Sequence, residues 1–286
     1  MTVYKSSLVT NANWRIYMTD IKLIAIDMDH TLLNDKGQLP ENFTDQVHAL
    51  KEKGIQVVIA SGRPLYTLAD MFSHIEDDLI FVSDNGAAIT KQGEQLFNSI
   101  IEPDDYRKLM AFTLEQNEAT GIPILCALDA AYIPKAHDQY DQVYRTFYTN
   151  IYYYDDFSSV DAVANKFTVY TPNNDAVDQY EDIYGPALNT QFSATTSGKE
   201  WIDIMNKNIN KGQAMYQLSN LLNITTDQMM AFGDNYNDIE MLAAVKYSYA
   251  MANAHDDIKA QANFIAPSNN DLGVSTVIQD LLDGNC

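Results

Sequence analysis

The chain has 286 residues, of which 46% are hydrophobic and 20% charged, with 12 Gly and 8 Pro. That composition excludes disordered, collagen-like and coiled-coil classes, and the length suits two domains at roughly 150 residues each. Eighteen Lys plus Arg against 39 Asp plus Glu leave a formal charge of -21, a field that repels nucleic-acid backbones and anionic lipid.

Residues 1–17 lack the continuous apolar region of a signal peptide and read as a loose, poorly ordered extension. Short apolar runs then recur at Lys22 to Ile26, Ile55 to Ala60, Leu79 to Val82 and Met229 to Phe232, each with the look of a buried parallel strand. Helical patterns separate them: Glu41 to Lys53 before Gly54, Pro64 to His74 with Pro at the first helical position, and Gly212 to Leu222. This alternation predicts an α/β fold around a parallel sheet.

Between Ile89 and Thr196 the texture changes to strand pairs and helices, including Pro103 to Gln116 and Asn174 to Tyr184. Thr90 to Ile101 reads as a hairpin turning at Gln92 and Gly93, and Lys166 to Thr171 and Glu200 to Met205 as further strands. The alternating rhythm then resumes through Asn235 to Ala244, Tyr247 to Met251, His255 to Ala262 and Phe264 to Ala266. We therefore expect a discontinuous core at 18–88 and 197–286, with an inserted α+β lobe at 89–196 covering the active edge of the sheet.

No run approaches the roughly 18 apolar residues needed to span a bilayer. Cys126 and Cys286 show no zinc, haem or redox spacing. A cytoplasmic protein with no nucleic-acid or membrane partner, monomeric or homodimeric, is expected. The tyrosines from Tyr140 to Tyr154 pack the lobe, line a ring-stacking pocket or serve a contact between chains.

The expected strands end in Asp27, Ser61, Asp84 and Asp234, and open α/β sheets bind ligands at such carboxyl ends. Asp27 and Asp29, two apart, share a side of an extended chain, unless Asp29 only caps a turn. Gly233, Asp234, Asn235, Asn237 and Asp238 follow the fourth run, and capping explains one or two of these acids, not four in all. At about 6 Å and an effective dielectric of about 20, each ionised pair costs roughly 3 kcal/mol. A cation must therefore sit among them, and the oxygen-rich set favours Mg²⁺. The five histidines show no ligand spacing and are assigned to surface or packing. Ser61 and Gly62 before a helix form an anion site or merely a cap. Lys211 opposes the dipole of the helix it begins, as a phosphate ligand or as a plain surface lysine.

Taken in order, the motifs Asp27-Met28-Asp29-His30-Thr31-Leu32-Leu33, Ser61 in ASGRP, Lys211 and GDNYND at 233–238 resemble those of the haloacid dehalogenase superfamily. The match is to its Cof-type phosphatases with a type IIB (C2) cap, and it spans residues 21 to about 280. The resemblance implies a Rossmann-like core with an α+β cap and a Mg²⁺-dependent phosphatase of small phosphorylated metabolites, namely sugar phosphates or phosphorylated cofactors. Asp27 would be the nucleophile and Asp29 the general acid and base. Mg²⁺ would be held by Asp27, Asp29 through its carbonyl, and Asp234. Ser61, Gly62, Arg63, Lys211 and Asn237 would bind the phosphate or substrate, with Asp238 orienting the metal's surroundings. His30 stands where the family usually has Gly, so the turn beside the acids carries a side chain. An inert phosphate-binding module and a phosphomutase are the alternatives.

Overall fold

The structure, a computed structural model, describes residues 20–116 and 121–285; the 1–17 extension lies outside the described residues. Its strands are β1 (Leu23–Ile26), β2 (Gln56–Ala60), β3 (Leu79–Ser83), β4 (Ala88–Lys91), β5 (Glu94–Asn98), β6 (Ile122–Ala127), β7 (Ala131–Pro134), β8 (Ile151–Tyr154), β9 (Ala164–Tyr170), β10 (Phe192–Thr196), β11 (Trp201–Asn206), β12 (Met229–Gly233), β13 (Tyr247–Met251) and β14 (Phe264–Ala266). They form two sheets, ordered β14-β13-β12-β1-β2-β3-β4-β5 and β10-β11-β9-β6-β7-β8.

In the first sheet β14 through β3 run parallel. Every residue of β1 is fully buried. Its alternate side chains enter opposite layers: Ile24 and Ile26 pack with Phe43, Phe72 and Ile278, whereas Leu23 and Ala25 pack with Val58, Met215 and Leu218. Helices therefore cover both faces, which is why the run is continuously apolar rather than alternating. Each large side chain so buried contributes about 1.5–3 kcal/mol.

Sheet pairing shifts both expected lobe boundaries. The hairpin expected within the lobe, β4 with β5, pairs antiparallel with β3 and extends the core sheet. A turn at Asp84–Gly86 folds the chain straight back onto its neighbour, and such local pairing closes a short loop at low entropic cost. Conversely, Trp201–Asn206 pairs with Phe192–Thr196 and with β9 in the second sheet, not the core. Pro64 precedes the Leu65–Met71 helix in an extended conformation instead of occupying its first turn. The Gly273–Asp283 helix, absent from the sequence reading, packs Val274, Val277 and Ile278 into the core.

In the second sheet, period two places Lys166, Thr168 and Tyr170 of β9 on one face with Trp201 and Asp203 of β11. Trp201 and Tyr170 join Tyr144 and Tyr148 in an apolar cluster at one end of that face. Lys166 and Asp203 occupy its polar part, against the core. Most of the tyrosine-rich segment thus packs the lobe, while Tyr152 is exposed.

Candidate active site

β12, β1 and β2 are adjacent in the sheet, so their carboxyl ends bring Asp234, Asp27 and Ser61 side by side. Lys211 arrives from a helix, Lys211–Leu222, whose first turn is fixed by the Asn210 side chain accepting from the Gln213 amide. Gly212 lets this helix touch the backbone of Glu240: a Cβ there would lie 2.5 Å from the Glu240 carbonyl oxygen. The Lys211 side chain is fully buried and its Nζ donates to Asp27 Oδ1 at 2.5 Å and Asp238 Oδ1 at 2.7 Å. The phosphate-ligand alternative for Lys211 keeps its geometry, and the surface-lysine alternative does not.

Asp238 also fulfils the capping role left open for it. Its Oδ2 accepts from the amides of Asp234 and Asn235 at 3.0 and 3.1 Å, so both of its oxygens are engaged. Asp234 Oδ1 accepts from the Thr31 hydroxyl at 2.8 Å. Asp27, Asp234 and Asp238 each present an oxygen within 4.8 Å of the others. Burial, followed by the Asp238 charge, raises the pKa of Asp27 well above the carboxylate range despite Lys211. The same two influences push Asp234 up to about 7. For Lys211 burial opposes charging, but Asp238 and Asp27 outweigh it and hold its pKa above the ordinary lysine value.

One amine among three carboxylates leaves negative charge uncompensated, and the free donors are all hard oxygens, which suits Mg²⁺ and not zinc. With Asp238 occupied by Lys211 and two amides, Asp27 and Asp234 are the side chains left to ligate. A proton on Asp234 must leave before a cation can bind. The apparent Mg²⁺ affinity, followed by titration calorimetry, is therefore expected to weaken as pH falls, about tenfold per unit for each displaced proton, from Asp234 below about 7 and from Asp27, whose pKa is also raised. Because its folded pKa is raised, Asp234 stabilises the metal-free fold below its unfolded pKa of 3.8, a contribution lost as pH rises through about 7. Mg²⁺ should reverse that loss, so its thermal shift should be larger at pH 8 than at pH 5.5. A shift independent of pH contradicts this assignment.

Asp29 does not join the carboxylate cluster through its side chain. Arg63 grips it with Nε and Nη2 at 3.0 and 2.7 Å. Arg63 Nη1 reaches the Thr146 carbonyl of the lobe at 2.6 Å, and its guanidinium lies 5.0 Å from the centre of the Phe147 ring. Arg63, expected on phosphate, thus joins Asp29 to the lobe. Ser61 is buried and its Oγ accepts from the Arg63 amide at 3.1 Å. Asn237 donates to Asn85 Oδ1 at 3.0 Å, and Asn85 donates to Asp203 of the lobe at 2.7 Å. His30 retains a left-handed φ of 61° with its ring exposed to solvent, so the turn keeps the conformation that favours glycine.

Asp27, Asp29, Ser61, Gly62, Arg63 and Asn237 line one cleft of about 770 Å³, open mouth included. Its opposite wall comes from the lobe: Phe147, Tyr148, Lys166, Glu200, Trp201 and Asp203. Of these only Tyr148 was weighed in the sequence, as one of the tyrosines that could line a ring-stacking pocket. Lys166 Nζ donates to the Gly62 carbonyl and lies 3.5 Å from Asp84 and 3.6 Å from Asp203. Burial, partly offset by Lys166, pushes Asp84 up to about 6. A buried charge inside an apolar strand was the available signal for Lys166 and Asp203.

The family of haloacid dehalogenase-like hydrolases matches residues 24–278. A 5-amino-6-(5-phospho-D-ribitylamino)uracil phosphatase of Escherichia coli K12, YbjI, is 32% identical over 264 residues, covering 92% of this chain and 96% of that protein. YcsE of Bacillus subtilis, with the same descriptive name, is 28% identical over 91% of this chain and 95% of its own. The crystal structure of SMU.1108c from Streptococcus mutans is 34% identical, with a TM-score of 0.85, over 92% of this chain and 99% of that one. The subclass IIB sugar phosphatase BT4131 shares the fold, with a TM-score of 0.75 at 20% identity over 90% of this chain and 98% of that one.

Proposed function

The chain belongs to the haloacid dehalogenase-like hydrolases as a phosphatase, and on that premise we propose that it hydrolyses small phosphomonoesters through a covalent phosphate on Asp27, with Mg²⁺ as its metal. The observation that carries this reading is Lys211 Nζ, buried between Asp27 and Asp238 at 2.5 and 2.7 Å. An amine fixed beside one oxygen of a carboxylate can meet the non-bridging oxygens of a phosphoryl group arriving at the other.

An Asp27 oxygen attacks phosphorus, a bond forms between them, and the bond from phosphorus to the leaving oxygen breaks. Asp29, once one of its oxygens leaves Arg63, gives the leaving oxygen a proton, then takes one from the water whose oxygen bonds to phosphorus as the bond from phosphorus to Asp27 breaks. Ser61 and Lys211 hold the phosphoryl oxygens as charge develops. Mg²⁺, held by Asp27, Asp234 and the Asp29 carbonyl, would supply charge neutralisation for nucleophile and phosphate together. Asp238 fixes Lys211 and the Asp234 backbone in register. The Arg63 grip on Asp29 makes the acid's position depend on the lobe, which is the element that closes over the leaving group.

A net charge of -21 does not forbid an anionic substrate, because screening over about 8 Å at physiological salt leaves local cations dominant inside a cleft. The reading carries a small-molecule partner and, with Cys126 a free thiol, a cytoplasmic setting. Among the described residues no helix is long and apolar enough to cross a membrane. The test is phosphate release from a panel of sugar phosphates, nucleotides and 5-amino-6-(5-phospho-D-ribitylamino)uracil. Steady Mg²⁺-dependent release is expected. Isomerised product without release would mean a mutase, and binding without either an inert module.

A further inference from the structure

Resting on the phosphatase reading, we propose that the cleft selects an uncharged leaving group, a polyol or a hydroxyl-bearing ring, and rejects a second anion, with Glu200 setting that preference. Two cationic side chains, Arg63 and Lys166, and one imidazole, His30, line the cleft, and each already has a carboxylate partner. Arg63 is held by both oxygens of Asp29 and by the Thr146 carbonyl. Lys166 sits between Asp84 and Asp203 and donates to the Gly62 carbonyl. His30 faces Asp35 at 3.4 Å on the exposed rim. Lys211, behind them, serves Asp27 and Asp238.

Glu200 is the converse case. It lines the lobe wall, half-buried, and among the described residues its carboxylate has no ion pair or hydrogen bond. Next to it Trp201 forms an aromatic surface with Phe147 and Tyr148, at ring separations of 5.0 and 6.2 Å. A carboxylate acceptor beside aromatic faces suits hydroxyl or amide donors on a carbon skeleton that packs against rings. A carboxylate or second phosphate on the leaving group would enter beside Glu200 and Asp203, where among the described residues lining the cleft no cation is free to meet it. Rejecting a competitor through unpaired like charge gives selectivity without a tighter grip on the true substrate.

The experiment compares kcat/KM for sorbitol 6-phosphate and 6-phosphogluconate, which differ in a hydroxymethyl against a carboxylate at the far end, using the full chain with Mg²⁺. Wild type is expected to favour the neutral ester by at least about tenfold. Glu200→Gln should shrink that ratio by about fivefold, and Glu200→Lys should bring it to unity or invert it. A wild-type ratio within about twofold overturns the proposal, as does a ratio unchanged in both variants. The wild-type ratio decides the matter even where a variant does not fold. Failure of wild type to release phosphate from these esters and from p-nitrophenyl phosphate would instead overturn the phosphatase reading, and this one with it.

Discussion

Asp27→Asn should lower Mg²⁺-dependent hydrolysis of p-nitrophenyl phosphate by on the order of 10³-fold or more while leaving the fold intact. The neutral amide oxygen is a far weaker nucleophile than a carboxylate, and the change removes the charge from one of the two side chains free to ligate the metal. The fold survives because Lys211 retains Asp238 at 2.7 Å, and because a neutral group at position 27 relieves the repulsion from Asp238 and Asp234 that raises the Asp27 pKa. Turnover near the wild-type rate would remove Asp27 from the role of nucleophile. A loss of activity together with a collapsed melting transition would show only that the core needs the carboxylate.

Lys211→Met should cost both activity and stability. It strips the amine from two buried carboxylates, Asp27 and Asp238, whose side chains are 8% and 0% accessible. Removing one partner from a buried ion pair typically costs about 3–5 kcal/mol, a fall of roughly 10 °C in melting temperature for a core of this size. The stability deficit should narrow as pH falls, because protonated carboxylates no longer need the amine. Combining Lys211→Met with Asp238→Asn should recover part of the melting temperature and none of the turnover. A single variant that melts like wild type would mean that Lys211 does not compensate the cluster.

The chemistry at the sheet edge was legible because it is local in the chain. An apolar run of buried strand followed at once by Asp27, Ser61 or Asp234 announces both the strand and its functional end, and adjacency of β12, β1 and β2 assembles the three. Lys211 was legible through a local conflict, a cation at the helix end that favours anions. The lobe's share of the site was not. Lys166 and Asp203 lie in mostly apolar strands, and only the pairing of β9 with β11 puts them on one face, which their bonds to Gly62 and Asn85 set against the core. The same limit explains the misplaced hairpin, since alternation says that Thr90 to Ile101 folds back but not which sheet it joins. The final helix was recoverable: Val274, Val277, Ile278 and Leu281 follow helical spacing after Gly273. The Arg63 contacts with Asp29 and Thr146 link residues 34 and 83 positions apart, and no local pattern reports such a connection.

The most direct test of a covalent route through Asp27 is to quench the enzyme in acid during turnover of a phosphomonoester with Mg²⁺, reduce it with tritiated borohydride and sequence the labelled peptide. An acyl phosphate at position 27, converted by reduction to homoserine and absent from Asp27→Asn, is the result this account predicts. Phosphate release at the same rate with no label retained on the chain, or with label retained at any residue other than Asp27, would contradict it.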